Sequence, residues 1–335
     1  MKTESLRETY GEELRNLGRT HSNLVVLDAD LSTSTKTAIF GKEFPDRFFN
    51  MGIAEQSMVE TAAGLALSGK KVFASTFAVF LTRTYEQLRQ SVCYNNLDVN
   101  FVVTHAGITV GEDGATHQIV EDLGIMSGLP NMKVTVPVDS VETRSVIDYL
   151  ANQGRGPYYV RLTREKFPVL NDPSYEFRPG KATVMKDGND ITIMGIGIMV
   201  SFALQAADAL KSKGIDARVV NMSSIKPIDR KAVIDAARDT GKIVTVEEHS
   251  IYNGLGSRVA EIASEEYPVP VWRMGMRDTF GKSGKSWELF DYFHMGVNDM
   301  VKFAEACFRE EPRYENNRRA PESGPHTQQH CCSGC

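Results

Sequence analysis

The sequence predicts an α/β protein with two doubly wound domains, each built on a parallel sheet, and three observations lead to this prediction. The chain has 335 residues, which is more than one hydrophobic core usually organises. Short β-rich runs alternate with helical patterns along most of the chain, as is typical of βαβ units. A proline-rich polar stretch interrupts this alternation near the middle, so we expect one domain on each side of it.

The first domain is expected over residues 1–167. Short runs rich in β-formers predict its strands at residues 24–27, 71–75, 99–103, 133–137 and 158–162. Apolar residues at helical spacing predict helices at residues 54–67, 82–94 and 141–150. Pro168, Pro173 and Pro179 then predict an extended linker over residues 168–183.

The second domain is expected over residues 184–310 and repeats the alternation. Its strands are predicted at residues 191–194, 217–220, 242–246 and 269–273. Its helices are predicted at residues 200–211, 230–237, 257–263 and 297–308. Residues 311–335 lose all periodicity and gain Pro, Asn, Arg and Ser, which predicts a disordered tail.

Composition excludes several classes of function. A hydrophobic content of 41% with 24% charged residues is ordinary for a globular protein. The net charge of -5 comes without a stripe of lysines and arginines, so we expect no nucleic-acid partner. No apolar run reaches membrane-spanning length and the first residues lack a secretory core, so we expect a cytoplasmic protein with no membrane contact. The five cysteines are not spaced as a disulfide framework.

Two histidines and a carboxylate lie in one glycine-bearing loop directly after the predicted strand at residues 99–103. They are His105, Asp113 and His117. Each alone would more often be a structural hydrogen-bonding residue than a ligand. Ligands of open α/β sheets bind beyond the carboxyl ends of the strands, and this loop begins there. The three side chains together therefore predict a binding site for a hydroxylated substrate.

A second group of candidates precedes that loop. Glu55 lies near the start of a predicted helix, where a carboxylate usually complements the helix dipole at the surface. Phe77 and Phe80 are three residues apart, a spacing that more often forms the core face of a helix. The context of these residues decides between the two interpretations.

That context resembles a known family. The run Met-Gly-Ile-Ala-Glu-Gln at residues 51–56, joined to the loop at residues 104–118, resembles the pyrimidine-binding domain of transketolases. The segment Glu-Glu-His-Ser-Ile-Tyr-Asn-Gly at residues 247–254 is similar to the C-terminal domain of the same family. The resemblance covers the chain from Arg7 to about Phe308. It implies a thiamine-pyrimidine-binding domain followed by a transketolase C-terminal-like α/β domain that mainly widens a dimer contact.

The resemblance also implies roles for the cofactor side of the site. Glu55 matches the glutamate that hydrogen-bonds the pyrimidine ring of thiamine diphosphate and activates it, and Asp30 is assigned to the same side. Phe77 and Phe80 match the aromatic residues that stack on that ring. Arg83 stands where full-length transketolases tend to have a third aromatic residue, as it does in the deoxyxylulose-phosphate synthases.

The substrate side is assigned in the same way. The resemblance implies that Asp113 and His117 face sugar hydroxyls while His105 approaches the sugar phosphate. Arg164 matches the arginine of a Leu-Thr-Arg motif and, with Ser34 and a looser match at Arg7, holds that phosphate. For Arg161 we favour a surface ion pair.

One family feature is missing. Thiamine diphosphate enzymes hold the diphosphate through a divalent metal, with a Gly-Asp-Gly run followed later by Asn-Asn, and the chain has no such pair. We therefore expect no metal ligand here, and a diphosphate-binding partner subunit that holds Mg²⁺ in an α2β2 assembly. The implied reaction moves a two-carbon ketol unit from a ketose phosphate to an aldose phosphate, as in the pentose phosphate pathway.

Four alternatives stay open. The chain could be the β subunit of a 2-oxo-acid dehydrogenase decarboxylase, or half of a deoxyxylulose-phosphate synthase. It could be a transketolase subunit specialised for a branched or sulfonated sugar, since a phosphate pocket is easily changed for sulfonate. It could also be a non-catalytic scaffold that kept the fold. The sugar-binding loop argues against the first, and the intact glutamate argues against the last.

Overall fold

The computed structural model describes residues 2–309. Within that range the strands are β1 (Thr3–Ser5), β2 (Leu24–Asp28), β3 (Phe48–Asn50), β4 (Lys71–Ser75), β5 (Val99–Val103), β6 (Lys133–Thr135), β7 (Tyr158–Arg161), β8 (Lys166–Pro168), β9 (Thr183–Lys186), β10 (Ile191–Gly195), β11 (Ala217–Asn221), β12 (Ser224–Lys226), β13 (Ile243–Ser250) and β14 (Val271–Met276).

The α-helices in the described range are Leu6–Thr20, Ser32–Thr35, Ala38–Glu43, Glu55–Leu67, Ala78–Leu81, Tyr85–Gln87, Asp122–Ser127, Ser140–Asn152, Met199–Lys211, Arg230–Thr240, Leu255–Glu266, Ser286–Tyr292 and Val297–Arg309. Turns of 3-10 helix occur at Pro45–Arg47, Thr82–Thr84 and Ile108–Asp113, and one π-helical turn occurs at Leu88–Cys93.

The first sheet has seven strands in the order β12-β6-β7-β5-β4-β2-β3. Its strands are parallel except β12, which runs antiparallel to β6 at the edge. Every residue of β2 and of β5 is buried. Such continuous burial is typical of a parallel sheet that is covered on both faces. The short strands β1 and β8 form a separate antiparallel pair.

The second sheet has five strands in the order β14-β13-β10-β11-β9. β9 runs antiparallel to β11, and the other neighbours are parallel. All nine predicted strands are present, and β4 and β5 have the predicted bounds. The predicted fold class, an α/β protein with two mostly parallel sheets, is therefore confirmed.

The helix predicted at residues 82–94 differs from the structure. Helical backbone begins four residues earlier, at Ala78, and continues through a 3-10 turn and a π-helical turn to Cys93. The tighter and wider turns change the register, so no single 3.6-residue period describes the segment. Phe80 and Arg83 consequently lie on its first two turns, directly after β4.

The helix Leu6–Thr20 was not predicted, although the sequence contains a signal for it. Leu6, Tyr10, Leu14 and Leu17 are buried and recur at helical spacing. The side chain of Ser5 accepts a hydrogen bond from the Glu8 N–H and caps the first turn. Glu8, Glu12 and Arg19 lie on the exposed face of this amphipathic helix.

The boundary between the two domains is crossed by the chain more than once. Residues between β8 and β9 form no helix or strand, as the linker prediction expects. β12, however, follows β11 in the chain and joins the first sheet beside β6. A strand of three residues is too short for its polarity pattern to have signalled this return. The domain bounds drawn from sequence stay a prediction, and the tail predicted at residues 311–335 lies outside the described residues.

Membrane spans and metal clusters are both absent from residues 2–309. None of the helices in that range combines the length with the apolar character that a membrane crossing requires. No group of three or more His, Cys, Asp or Glu side chains in that range could hold a metal ion.

Because β2, β3, β4, β5 and β7 are parallel, their carboxyl ends meet at one edge of the first sheet. The segments that leave these strands include the candidate residues predicted from the sequence. This edge is therefore the part of the fold that positions the site.

Candidate active site

Glu55 is the first residue of the helix Glu55–Leu67, which follows β3 through a short turn. Its side chain is only 3% exposed, although the residue stands at a helix end close to the sheet edge. The Nη1 atom of Arg83 donates a hydrogen bond to its Oε2 atom at 3.2 Å, and Arg83 is itself 55% exposed. The structure thus places a buried carboxylate against one exposed cation at the start of a helix.

Phe77 and Phe80 stack on each other with ring centroids 5.6 Å apart and planes 10° apart. The other neighbour of Phe77 is His105, whose ring centroid lies 3.7 Å away. Phe77 is buried by these contacts, whereas Phe80 is only half-buried. Phe80 therefore forms the accessible aromatic wall, with the Arg83 guanidinium 5.9 Å from its ring centroid.

His105 has a left-handed backbone conformation, with φ of 59°, that turns its ring onto Phe77. Its Nδ1 atom shares a hydrogen bond of 2.8 Å with the hydroxyl of Thr104. Burial, together with the positive charges of Arg7 and Arg164, lowers the pKa of His105 to about 3. The imidazole is therefore neutral at physiological pH and can both donate and accept hydrogen bonds.

The loop at residues 107–118 is built around glycines with positive φ, among them Gly111 and Gly114. His117 is half-buried, its ring meets Phe80 edge-on at 5.6 Å, and its Nδ1 atom shares a hydrogen bond with the Thr116 hydroxyl. Asp113 is exposed, and its carboxylate lies 3.8 Å from the Arg164 guanidinium. The loop therefore brings the predicted histidine to the aromatic wall and the predicted aspartate to the arginine.

Arg7, Ser34 and Arg164 are distant in sequence and adjacent in the structure. The Arg7 guanidinium donates to the Ser34 carbonyl at 2.7 Å and to the Arg164 carbonyl at 2.9 Å. Burial and the neighbouring charge of Arg164 lower the pKa of Arg7. Two arginines whose charges influence each other are a typical environment for an anionic ligand.

Asp28 was missed by the sequence analysis, although it organises the loop that contains Ser34. Its buried carboxylate accepts hydrogen bonds from the hydroxyls of Thr35 and Thr37 and from the Leu31 N–H. Burial raises the pKa of Asp28, and these three donors oppose that shift. An aspartate at the last position of a strand, followed by a Ser/Thr-rich run, was the available signal.

Asp30 is exposed, and the contacts of its side chain are with Asn50 rather than with the aromatic wall. The Asn50 amide donates to Asp30 Oδ1 at 3.1 Å, while its carbonyl accepts from the backbone of Asp30 and of Gly52. This pair holds the turn that leads into Glu55. A direct role of Asp30 toward a cofactor stays a prediction.

The prediction that Arg161 forms a surface ion pair is wrong in its location. Arg161 is 2% exposed, and its Nε atom donates to the Asp122 carboxylate at 2.8 Å. Tyr159 donates to the same carboxylate oxygen at 2.7 Å. The pair is buried because the second domain packs over this end of β7, which no local pattern in the sequence indicates.

Comparisons with known proteins identify both domains of the chain. The model of the transketolase pyrimidine-binding domain matches residues 2–169, and the model of the transketolase C-terminal domain matches residues 180–300. A transketolase C-terminal section from Methanocaldococcus jannaschii is 48% identical over 301 residues, covering 89% of this chain and 94% of that protein.

Two further relatives are named after unusual sugars. The 6-deoxy-6-sulfo-D-fructose transketolase subunit of a Clostridium species is 39% identical, covering 89% of this chain and 93% of that protein. An apulose-4-phosphate transketolase subunit from Phocaeicola vulgatus is also 39% identical, covering 89% of this chain and 96% of that protein.

Solved structures show the same likeness. The structure described as "Split gene transketolase, inactive beta4 tetramer" has a TM-score of 0.85 at 48% identity, covering 91% of this chain and 98% of that one. The transketolase of Campylobacter jejuni has a TM-score of 0.77 at 25% identity, but the match covers only 47% of that longer chain.

The fold, the two matched domains and the relatives define a transferase subunit. The chain belongs to the transketolase family and corresponds to the C-terminal section of a split transketolase. The resemblance stated from the sequence is therefore confirmed, whereas the roles of individual site residues stay predictions.

Proposed function

We propose that the chain is the pyrimidine-binding subunit of a thiamine diphosphate-dependent transketolase, which transfers a two-carbon ketol unit from a ketose phosphate to an aldose phosphate. One observation supports this most strongly. The buried carboxylate of Glu55, the open face of Phe80 and the polar group around His105, His117 and Arg164 occupy one edge of one sheet. A flat cofactor ring and a phosphorylated polyol need these three kinds of surface side by side.

The cofactor side fits an aminopyrimidine ring. Thiamine diphosphate, when bound, supplies the carbon nucleophile that accepts the ketol unit. Glu55 would hold a proton shared with a ring nitrogen, since its carboxyl is desolvated and rigidly placed at a helix start. Phe80 would stack on the ring over its accessible face, and Phe77 would support Phe80 from behind. Arg83 already contacts both Glu55 and Phe80, so it would line the third side.

The substrate side fits a phosphorylated sugar. Arg7 and Arg164, beside the loop of Ser34, would hold the phosphate through charge-assisted hydrogen bonds. Half-buried His117 and the Asp113 carboxylate would bond sugar hydroxyls, and neutral His105 would approach the sugar phosphate. Such bonds discriminate well, because an analogue that lacks a hydroxyl leaves a desolvated polar group unpaired.

Three observations support the need for a second subunit. No cluster of potential metal ligands occurs in residues 2–309, so Mg²⁺ and the diphosphate would be held by a partner, in an α2β2 assembly. The candidate residues line an open edge, whereas a cleft of about 550 Å³ lies at the amino ends of the strands, beside Asn23, Lys71 and Asp98. A similar split-gene transketolase chain, solved as a beta4 tetramer, is described as inactive. A cytoplasmic location stays a prediction.

A second candidate concerns the sugar alone. Relatives of similar identity act, by their names, on a sulfonated fructose and on a branched sugar phosphate. The arginine pair of Arg7 and Arg164 can bind sulfonate as well as phosphate, since both present three oxygens to guanidinium groups. A panel of ketose phosphates, sulfoketoses and branched ketose phosphates, assayed with one aldose acceptor, would rank them by kcat/KM.

The test of the main proposal is reconstitution. The purified chain is assayed for ketol transfer alone, with thiamine diphosphate and Mg²⁺, and again after addition of a diphosphate-binding transketolase section. We expect turnover only in the second mixture. Turnover by the chain alone would contradict the partner requirement, and an inactive but assembled pair would contradict the catalytic role itself.

A further inference from the structure

The loop at residues 107–118, here called the substrate loop, is attached to the second domain along its length. The Thr109 N–H donates to Glu248 Oε1 at 2.6 Å, and the Ser286 hydroxyl donates to the Thr109 carbonyl at 3.1 Å. Farther along, the Ser283 hydroxyl donates to the Glu112 carbonyl at 2.6 Å. The Gln118 amide closes the loop by donating to the Lys282 carbonyl at 2.9 Å. The loop with the sugar-facing residues therefore rests on another domain.

Glu248 contacts this loop in the most confined place. It lies on β13, is 2% exposed, and belongs to the second sheet. A Cβ atom added to Gly107 would come within 2.3 Å of its Oε1 atom, and Gly107 has a φ of 77° that other residues rarely adopt. Carboxylate and glycine are thus fitted to each other, and a larger residue at position 107 would push the loop off its support.

The strand that contains Glu248 is tied to the first sheet from the other side. Arg161 donates through Nη2 to the Glu248 carbonyl at 3.1 Å while its Nε atom pairs with Asp122. The Oε2 atom of Glu248 is buried and has no hydrogen-bond partner among the described residues. The carboxyl is therefore held by backbone and packing, with one oxygen committed to the loop.

Glu248 and Ser286 together support the substrate loop and are here called the platform. Ser286 also connects this platform to the proposed phosphate site. Its hydroxyl contacts both the Thr109 carbonyl and the Glu165 carboxylate, the latter at 2.9 Å. Arg164, the residue before Glu165, donates to the Val110 carbonyl. A shift of Ser286 would therefore move the sugar-facing loop and the phosphate-facing arginine together.

We propose that Glu248 and Ser286 are positioning residues, through which the second domain sets the geometry of the substrate loop. This goes beyond the expectation that the second domain mainly widens a dimer contact, and it rests on the proposed function of the loop. Both residues hydrogen-bond the loop through its backbone, so they act through Asp113 and His117. Misplacing a binding group by about 1 Å can cost about 100-fold in rate, so loss of the platform contacts should lower the rate measurably.

The test uses the reconstituted enzyme with Glu248→Ala, Glu248→Gln and Ser286→Ala. We expect Glu248→Ala to raise the KM for the ketose about 10-fold to about 100-fold, with cofactor affinity and subunit assembly unchanged. Glu248→Gln keeps an oxygen acceptor for the Thr109 N–H and is expected to restore most of the loss. Ser286→Ala is expected to show a smaller change of the same kind, and it covers the case in which Glu248→Ala does not fold.

Two results would overturn the proposal. One is an unchanged KM in a folded Glu248→Ala or Ser286→Ala enzyme, and the other is an equal loss of cofactor affinity and assembly, which would indicate a general structural role. Amide hydrogen exchange, compared between the wild type and the Glu248→Ala and Ser286→Ala variants without the partner subunit, gives a readout independent of turnover. Faster exchange confined to residues 108–113 supports the platform even if the reconstituted wild type shows no ketol transfer, and unchanged exchange there contradicts it.

Discussion

The carboxyl edges of the two mostly parallel sheets are built alike, but the first is open and the second is covered by the neighbouring domain. At the carboxyl edge of the first sheet, Phe80 and His117 are only half-buried, and Arg83 links Phe80 to the buried carboxylate of Glu55. At the carboxyl edge of the second sheet, Asn221 and Met276 are buried, and Asn221 donates to Glu142 of the first domain. A parallel sheet offers a ligand crevice at this edge only while nothing covers it. We propose that the first crevice binds ligands, whereas the second is packed against the first domain.

The ionisable groups differ in the same sense. His105 on the open edge is kept neutral by burial and by the neighbouring charges of Arg7 and Arg164. On the covered edge, burial raises the pKa of Glu247 and of Glu248 to about 7 each. The Glu247 carboxylate accepts from the N–H groups of Leu255 and Gly256, at the start of a helix. The charges at the open edge are those that the proposed function assigns to a ligand, whereas those at the covered edge contact other parts of the chain.

The substitution Glu55→Gln has the largest predicted effect and tests the functional role of the open edge. It keeps the shape of the side chain and removes the proton-holding carboxyl, so kcat of the reconstituted enzyme should fall about 100-fold to about 10,000-fold. The stability of the chain should change little, because Glu55 has one exposed partner, Arg83. Steady-state kinetics and thermal unfolding measure the two effects separately.

The matched control is Glu60→Gln on the same helix, where the side chain is exposed and accepts from Ser91. This control should keep wild-type turnover. Unaltered turnover in Glu55→Gln would leave only the scaffold interpretation of the chain.

The contact of the covered edge with β7 of the first sheet is tested by Arg161→Met. Removing the guanidinium leaves the fully buried Asp122 carboxylate without its ion-pair partner, which should lower the free energy of unfolding by about 3–5 kcal/mol. Chemical denaturation of the chain without a partner measures this directly.

Arg178→Gln, which removes an exposed ion pair with Glu176, is the control and should change stability by less than about 1 kcal/mol. A loss of similar size in both variants would show that the interior pair is no more important to the fold than a surface one.

Much of the open edge could be predicted from the sequence, because Phe77, His105 and Arg164 follow predicted strands within a few positions, whereas β3, the strand before Glu55, was not predicted. His105 comes two residues after β5 and Arg164 three residues after β7. The covered edge could not be predicted, because its meaning depends on contacts between distant segments. Nothing local distinguishes Arg161 as buried, and the partner of Glu248 lies 139 positions away in the chain. Local pattern indicates strand ends, whereas coverage of those ends is set only by tertiary packing.

The weakest of the predicted effects is on the pH dependence of stability, which tests the burial of Glu248 at the covered edge. Burial raises the pKa of Glu248 from 4.5 to about 7, with Arg161 and the Thr109 N–H opposing the shift and Asp122 adding to it. A carboxyl with a raised pKa contributes stability that is complete below the unfolded value of 4.5 and is lost as pH rises through about 7. The wild type should therefore lose stability relative to Glu248→Gln between about pH 5 and about pH 8, by at most about 1.4 kcal/mol per unit.

The histidines do not affect this difference in stability between the wild type and Glu248→Gln. Burial lowers the pKa of His249 to about 4 and that of His105 to about 3, so their contributions are complete above the unfolded value of 6.5 and are lost as pH falls. Both are present in the wild type and in Glu248→Gln, so their direct contributions cancel when one unfolding curve is subtracted from the other. A difference that stays flat from pH 5 to pH 8 would mean that the Glu248 carboxyl is solvated and that the second edge is not covered as closely as the first domain's packing indicates.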